Sequence, residues 1–260
     1  FGTVCWLSLL LLPWQPISTR EQIEPDFGHQ LNQNLNDVTV LIPARNEASY
    51  IQHTLDGLKL QGEGLQVIVI DDQSTDETAQ LARLKGAQVI AGTTPPTGWS
   101  GKLWALEQGL KHVTTPYTLL LDADITLSQG IIPTLKNKVL TENRSMVSLM
   151  AMPPMDTLVE RMLMPAFIFF FKLLYPFGLT NKPDSRMAAA AGGCILVETQ
   201  ALRSVSAFSS LHDALIDDCT LAARIKHSGK NIWLGLSHAA RSHRGYQGLE
   251  PIWEMVARTA

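Results

Sequence analysis

The chain has 260 residues, and its 24 acidic and 21 basic side chains give a net charge of −3 at pH 7. This length allows one large α/β domain or two small ones. The balanced charge provides no strong field for nucleic acid, so we expect no nucleic-acid partner. The three cysteines, Cys5, Cys194 and Cys219, are far apart in the sequence, and this spacing indicates neither a zinc site nor a redox motif.

The chain begins with an apolar stretch over residues 4–12, which has too few residues to span a bilayer. Two interpretations stay open: the end of a truncated membrane anchor or signal sequence, and an ordinary buried segment. A polar linker follows over residues 15–36. We therefore expect an N-terminal apolar segment and linker over 1–36, a principal domain over 37–250 and the start of a truncated C-terminal helix over 251–260.

Predicted strands and helices alternate through the first half of the chain. Apolar β-branched runs predict the strands and helical spacing predicts the helices. In chain order these are strand Val38–Pro43, helix Ala48–Leu60, strand Val67–Ile70, a helix beginning near Asp76, a short strand at Val89 and Ile90, helix Lys102–Lys111 and strand Thr118–Leu121. This alternation predicts right-handed βαβ units and an α/β fold with a mostly parallel sheet flanked by helices.

Acidic side chains follow two of these strands directly. Asp71 and Asp72 end the second, and Asp122 and Asp124 end the run LLLDAD. Ligands of open α/β sheets bind at the carboxyl ends of the strands, and paired carboxylates suit Mg²⁺ or Mn²⁺ bound together with phosphate. A polar turn is the alternative for an isolated Asp-x-Asp.

Lys102 follows a glycine-containing loop over residues 95–101 and stands at a predicted helix start, where backbone N–H groups favour anions. We expect it beside a phosphate; a solvated lysine is the alternative. The spacing differs from that of a P-loop.

The second half is less regular. We predict a helix near 131–140, strands near 145–150 and 194–197, and a helix that opens with Asp217 and Asp218. Between them, residues 163–179 form an apolar stretch interrupted by prolines and Lys172. We expect a membrane-associated interfacial or re-entrant helix with Lys172 reaching the headgroups; a buried core helix is the alternative.

Five motifs occur in the order seen in family 2 inverting glycosyltransferases of the GT-A fold, and the chain resembles that family over about residues 38–234. The motifs are VTVLIPARNE (38–47), VIVIDDQSTDET (67–78), GKLWAL (101–106), LLLDAD (119–124) and IDDCTL (216–221). The segment PPTGWSGKLWAL looks most similar to the hopanoid-associated branch, which is itself similar to ceramide glucosyltransferases in this region.

The resemblance implies a GT-A, Rossmann-like domain over 37–250 that binds a nucleotide-diphosphate sugar, usually UDP-linked. It also implies a role for each matching residue. The nucleotide would be contacted by Pro43, Ala44, Arg45 and Glu47, and its uracil would be read by Asp72 with Asp71 beside it. Lys102 would lie near the base or phosphates. Asp122 would face the ribose and help hold the metal, Asp124 would ligate the metal, and Asp218, preceded by Asp217, would be the catalytic base.

The resemblance further implies transfer to a lipid, polyisoprenoid or hopanoid-type acceptor hydroxyl at the cytoplasmic face of the membrane. We expect a single transfer, because Trp253 and Arg258 match the Gln-x-x-Arg-Trp motif of processive members only loosely. For His238, His243 and Arg244 we predict a polar surface; contact of one of them with the diphosphate or metal is the alternative.

Two competing functions remain. The run LLDADIT also fits a haloacid-dehalogenase-like phosphohydrolase, with Asp122 as nucleophile and Asp124 as general acid. That motif normally follows the first strand of its fold, whereas two strand–turn units precede it here. A non-catalytic, membrane-associated binding domain is the second alternative.

Overall fold

The computed structural model describes residues 2–12, 14–25, 34–211, 217–246 and 248–259. The strands are β1 (Val38–Ala44), β2 (Gln66–Asp71), β3 (Gln88–Ala91), β4 (Tyr117–Leu121), β5 (Ile125–Leu127), β6 (Met146–Met152), β7 (Cys194–Glu198) and β8 (Ile232–Ser242). The helices are α1 (Gly2–Leu11), α2 (Ile51–Lys59), α3 (Thr78–Leu84), α4 (Gly101–Leu110), α5 (Ile131–Thr141), α6 (Leu158–Leu174), α7 (Phe177–Thr180), α8 (Thr199–Ser204), α9 (Asp217–His227) and α10 (Leu249–Thr259).

One sheet contains these eight strands in the order β3-β2-β1-β4-β7-β6-β8-β5. The first half of the prediction is confirmed, because β1 to β4 are all parallel and are joined by helices. Beyond β4 the sheet is mixed: β7 runs antiparallel to both β4 and β6, and β5 runs antiparallel to β8. The fold is thus α/β with a mixed sheet.

The strands bury both faces, as expected for a sheet covered by helices on two sides. In β1, Val40 and Ile42 pack into a core with α2 and α5, whereas Leu41 between them packs into a second core with α4 and α9. The continuous apolar runs of β1 and β4 reflect this two-sided burial. Both cores leave the carboxyl ends of these strands free to carry polar residues.

Strands β5 and β8 were not predicted. Strand β5 has only three residues directly after the acidic turn, and β8 carries Gly235 and a polar second half. Neither segment shows a long β-branched run of the kind that identifies β2. Their pairing, with Ile125 opposite Ser242, brings the region after β8 next to the acidic turn of residues 122–124.

Helix α6 contains most of the predicted membrane-associated segment. It begins with a capping box formed by Thr157 and Glu160 and continues through Pro165. Its Phe171 packs with Phe177 of α7 and Cys219 of α9 in a small third core. Among the described residues, no helix is long and apolar enough to cross a membrane.

The expectation that Lys172 reaches the headgroups is wrong. Its side chain is buried, its ammonium group donates to the Ser18 carbonyl oxygen, and its Nζ lies 5.3 Å from the centre of the Phe177 ring. Burial lowers the pKa of Lys172. The stretch after α1 supplies the partner, which no periodicity in the sequence could have indicated.

The opposite face of α6 is exposed and mainly apolar, with the exposed Arg161 as a charged member. Leu158 is 75% exposed and Met162 67% exposed, and Pro165 and Ala166 continue the same face one turn further on. Spacings of three and four residues place these side chains on one stripe of the helix. Helix α6 is therefore part core helix and part exposed apolar surface.

Candidate active site

The carboxyl ends of β1, β2 and β4 meet the start of α4 around an open cleft of about 420 Å³. Nearly all the predicted nucleotide and metal residues lie in it. The cleft is lined by Pro43, Ala44, Arg45, Glu47, Asp72, Gly101, Lys102, Asp122, Ala123, Asp124 and Arg244.

The loop after β1 is held by the loop after β2. Asn46 has a positive φ of 56°, and its side-chain oxygen accepts a hydrogen bond from the Thr75 amide at 2.8 Å. The Glu47 amide donates to Thr78 Oγ1 at 2.7 Å. These bonds fix the direction in which Arg45 and Glu47 leave the sheet, towards the cleft.

The two aspartates at the end of β2 differ in role. Asp71 Oδ1 accepts from the Ser74 amide at 3.1 Å and thereby holds the turn, and Asp71 does not line the cleft. Asp72 does: its side chain is only 7% exposed, Oδ2 lies 3.7 Å from Arg45 Nη1, and Oδ1 is buried without a hydrogen-bond partner among the described residues. A buried carboxylate oxygen of this kind is available to a ligand donor.

Gly101 brings α4 against this carboxylate. A Cβ atom at Gly101 would lie 2.3 Å from Asp72 Oδ2, so the close approach requires glycine. Ser100 caps the helix by accepting from the Leu103 amide at 3.3 Å. Lys102, the second residue of α4, places its Nζ 2.5 Å from Asp122 Oδ1.

Asp124 is held by the strand that the sequence did not reveal. Its backbone oxygen accepts from the His243 amide at 2.9 Å, and its Oδ2 accepts from Ser242 Oγ at 2.9 Å. Arg244 Nε lies 3.5 Å from the same Oδ2, and its Nη2 pairs with Glu47 Oε1. Arg244 is an exposed polar residue, as predicted, but it also lines the cleft, and its contact with a diphosphate or metal stays a prediction. His238 instead contacts Glu24 away from the cleft.

Glu47 is the most electrostatically perturbed carboxyl group of the cleft. Burial raises its pKa, Arg244 opposes this effect, and the negative charges of Asp124 and Asp122 add to it. Its Oε2 is buried without a hydrogen-bond partner among the described residues. A cation in the cleft would therefore stabilise the charged form of Glu47.

Asp218 lines a small adjoining cavity of about 30 Å³ together with Lys102 and Asp122. A Cβ atom at Gly192 would lie 2.9 Å from Asp218 Oδ2, so the small-residue segment allows backbone to approach this carboxylate. Most of the cavity wall is apolar and is formed by leucines of α4, β4 and α9 together with Ile195, Phe208 and Leu211. The side chain of Asp217 lies outside the described part of the chain, as does Arg258.

Tyr175 links the end of α6 to this carboxylate. Burial raises its pKa, and so do the neighbouring Cys219 and Asp218. Cys219 is itself buried, with its thiol 3.5 Å from the Ala190 oxygen. The apolar helix thus ends beside the predicted base.

The cleft fits a divalent metal of the Mg²⁺ type, but only with help from a ligand. No cluster of three or more His, Cys, Asp or Glu side chains suited to a metal occurs among the described residues. Asp122 and Asp124 offer carboxylate oxygens on one turn, and the orphaned Glu47 Oε2 faces the same cleft. Mg²⁺ is commonly bound by one or two carboxylates together with substrate phosphates and water, so this donor set is sufficient.

Sequence reasoning did not single out Gly101 or Ser242, and it left the contact of Arg244 with the site as the alternative. Ser242 is the last residue of β8 and Arg244 lies two residues beyond it, 118 and 120 positions from Asp124, and only the unrecognised β5–β8 pairing brings them near. Gly101 belongs to a quoted motif, but its contact with Asp72 depends on how closely α4 packs.

Solved structures share this fold. A mannosyltransferase from Pyrobaculum calidifontis, in complex with GDP-mannose and Mn²⁺, is 19% identical with a TM-score of 0.66, and the match covers 98% of this chain and 70% of that one. Glucosyl-3-phosphoglycerate synthase from Mycobacterium tuberculosis, in complex with Mn²⁺, UDP and glucosyl-3-phosphoglycerate, is 19% identical with a TM-score of 0.56, covering 92% and 83%. The class defined by fold and cleft is thus a GT-A-like α/β protein.

The family match is more specific. "Glycosyl transferase family 2" matches residues 39–205, so the chain belongs to this family and to the glycosyltransferase class of enzymes. Among curated relatives, 4,4'-diaponeurosporenoate glycosyltransferase of Staphylococcus aureus is 42% identical over 110 residues. That stretch is 42% of this chain and 29% of the relative, so the match spans less than a third of the relative's length. Membership of the hopanoid-associated branch stays a prediction.

Proposed function

We propose that this chain transfers a sugar from a nucleotide-diphosphate donor, with UDP as the nucleotide, to the hydroxyl of a lipid or polyisoprenoid acceptor. The observation that carries the proposal is the single cleft in which Asp72, Lys102, Asp122 and Asp124 converge, with Asp218 across it. Structural neighbours have been solved with UDP or GDP-mannose and Mn²⁺, which supports a nucleotide-sugar donor and a divalent metal.

Each group has a chemical task in this proposal. Asp72 Oδ1 accepts a hydrogen bond from the imide edge of uracil, which satisfies a buried orphan oxygen. Asp124 and Asp122 hold the divalent metal, Mg²⁺ or Mn²⁺, which when bound neutralises charge on the leaving diphosphate. Lys102 places a second positive charge beside Asp122 on the same side of the cleft.

Asp218 acts as the catalytic base. Transfer with inversion requires a base on the sugar face opposite the leaving group, where it takes the proton of the acceptor hydroxyl. Asp218 is half-buried and lines the same small cavity as Lys102 and Asp122, which supports its position next to the donor. We propose a single transfer per acceptor.

A lipid acceptor is supported by the exposed apolar face of α6, which includes Leu158 and Met162 and whose helix ends at Tyr175 beside Asp218. The matched relative is named for a glycosyltransferase of 4,4'-diaponeurosporenoate. We place the chain at the cytoplasmic face of the membrane. Its two described cysteines are free thiols, Cys194 and Cys219, as is usual in a reducing compartment.

The test is a screen of nucleotide sugars against membrane lipid extracts, with products read by mass spectrometry and UDP release measured with and without Mn²⁺ or Mg²⁺. We expect metal-dependent UDP release with a glycolipid product. Full activity on a soluble sugar without membrane association would overturn the acceptor assignment. Phosphate release from a phosphomonoester, without UDP release, would instead favour the phosphohydrolase alternative.

The base assignment has its own test. Asp218→Asn keeps the size of the side chain but removes the proton acceptor, so we expect kcat to fall by a factor of about 10² to 10⁴ while UDP affinity stays at the wild-type value. If turnover survives at the wild-type rate, the base is another residue.

A further inference from the structure

Arg244 lies between two carboxylates that the proposed function assigns to the donor side of the cleft. Its Nη2 pairs with Glu47 Oε1, and its Nε lies 3.5 Å from Asp124 Oδ2. The Tyr50 ring lies under the guanidinium, with Cζ 5.6 Å from the ring centre. A single positive charge therefore bridges Glu47 and Asp124.

The backbone beneath this side chain is fixed. The Arg244 amide donates to Ser242 Oγ at 3.3 Å, the same hydroxyl that donates to Asp124 Oδ2, and the adjoining His243 amide donates to the Asp124 oxygen. The Arg244 side chain itself is 51% exposed. The guanidinium can therefore swing within the cleft while its Cα stays in place.

A divalent metal and this guanidinium compete for the same oxygen. Metal–carboxylate distances are about 2.0–2.1 Å for Mg²⁺, so an ion bound at Asp124 Oδ2 would stand close to a guanidinium whose Nε lies 3.5 Å from that oxygen. Repulsion between the two positive charges favours departure of one of them. The donor diphosphate is the anion that would receive the released guanidinium, because planar N–H pairs match phosphate oxygens.

We propose that, in the donor-free protein, Arg244 is held by Glu47 and Asp124, where it opposes binding of a metal at Asp124, and that it moves to the donor diphosphate when metal and donor bind together. Arg244 thereby keeps Glu47 and Asp124 aligned before the donor arrives and disfavours binding of metal alone. This inference deepens the proposed function and rests on it for the identity of the diphosphate.

The first experiment uses Mn²⁺ alone, with free Mn²⁺ measured by electron paramagnetic resonance during titration of the 260-residue chain. Arg244→Gln removes the competing charge, so we expect Mn²⁺ to bind about five- to tenfold more tightly than to the wild type. Arg241→Gln is the matched control, because Arg241 is an exposed arginine on the same segment. An Mn²⁺ affinity that is unchanged or weaker in folded Arg244→Gln would overturn the competition.

The second experiment measures UDP binding by calorimetry at saturating Mn²⁺. Loss of a charge-assisted bond to phosphate should weaken UDP binding to Arg244→Gln by about tenfold or more, with Arg241→Gln unchanged. A role of Arg244 in structure alone would not strengthen Mn²⁺ binding while weakening UDP binding. Wild-type UDP affinity in Arg244→Gln would overturn the move to the diphosphate.

Arg244→Lys keeps the test decisive if the glutamine variant does not fold. A lysine is a point charge that cannot bridge both carboxylates as a guanidinium does, so we expect Mn²⁺ affinity between those of the wild type and the glutamine variant. An affinity at or below the wild-type value would contradict the inference. Absence of UDP binding in the wild type would refute the proposed function, whereas the comparison with Mn²⁺ alone would still decide the competition.

Discussion

The contact between Gly101 and Asp72 allows a sharp test of the nucleotide site. Gly101→Ala would place a Cβ atom 2.3 Å from Asp72 Oδ2, where ordinary contact begins at 3.4 Å. The carboxylate must then recede by about 1 Å, a displacement that can cost a positioned group a factor of about 10². Because bonds to charged groups contribute about 1.5–3 kcal/mol, we expect the Kd for UDP with Mn²⁺ to rise by about 10- to 100-fold.

Folding should be little affected by the same change. Alanine is favoured over glycine inside a helix by about 0.5–1 kcal/mol; Gly101 is the first residue of α4, so the gain there is smaller, but the group that must move is only the end of one side chain. We therefore expect a free energy of unfolding within about 1 kcal/mol of the wild type, measured by urea denaturation. The affinity loss would then be a local effect.

Gly178→Ala is the matched control for Gly101→Ala. Gly178 lies in α7, away from the cleft, and its Cβ would come no closer than 3.3 Å to another residue. Calorimetric titration with UDP should give wild-type affinity for this variant. Wild-type affinity in Gly101→Ala, together with a loss in Asp72→Asn, would refute the argument that glycine at 101 positions the carboxylate. Wild-type affinity in both would remove Asp72 from the nucleotide site.

Two further predictions concern α6. Met162→Asp places a charge on the exposed apolar face and should reduce co-sedimentation with lipid vesicles. Leu140→Asp, an equivalent change at an exposed leucine of α5, is the control and should leave co-sedimentation unchanged. Equal binding of both variants would contradict the docking role of α6. Glu160 accepts backbone N–H groups of Tyr246 and Thr157, which hold its pKa below the ordinary value, so its contribution to stability is present above about pH 4.5 and is lost as the pH falls through the lowered pKa. Glu160→Gln should therefore lower the Tm at pH 7 and progressively less as the pH falls through the lowered pKa, and an equal loss of Tm at every pH would show that the charge is not responsible.

The donor half of the cleft was predictable because its determinants are local. In β1, β2 and β4 an apolar run and the polar residues that follow it are adjacent in sequence, and parallel strands bring such ends to one edge. Asp72, Lys102 and Asp122 meet for this reason. The distinction between Asp71 and Asp72 was not visible, because the turn bond from the Ser74 amide to Asp71 depends on backbone conformation.

The contact between Arg244 and Asp124 could not be predicted in the same way. Arg244 reaches Asp124 only through β8, which has a parallel neighbour on one side and an antiparallel neighbour on the other. Neither pairing leaves a clear alternation in the sequence. The prediction for Lys172 was wrong for a related reason. A charged residue in an apolar stretch indicated contact with lipid headgroups, but the Ser18 carbonyl oxygen accepts its hydrogen bond, and only the tertiary fold reveals this partner.

Helix α6 connects the segment that carries Arg244 to the segment that carries Asp218. At its start, Glu160 Oε1 accepts from the Tyr246 amide at 2.8 Å, two residues beyond Arg244. At its end, burial raises the pKa of Tyr175, and so do Cys219 and Asp218 nearby. A displacement of α6 would therefore act on the segment that carries Arg244 and on the surroundings of Asp218. Because one face of this helix is apolar and exposed, the surface proposed to meet a lipid belongs to the same helix that adjoins both segments.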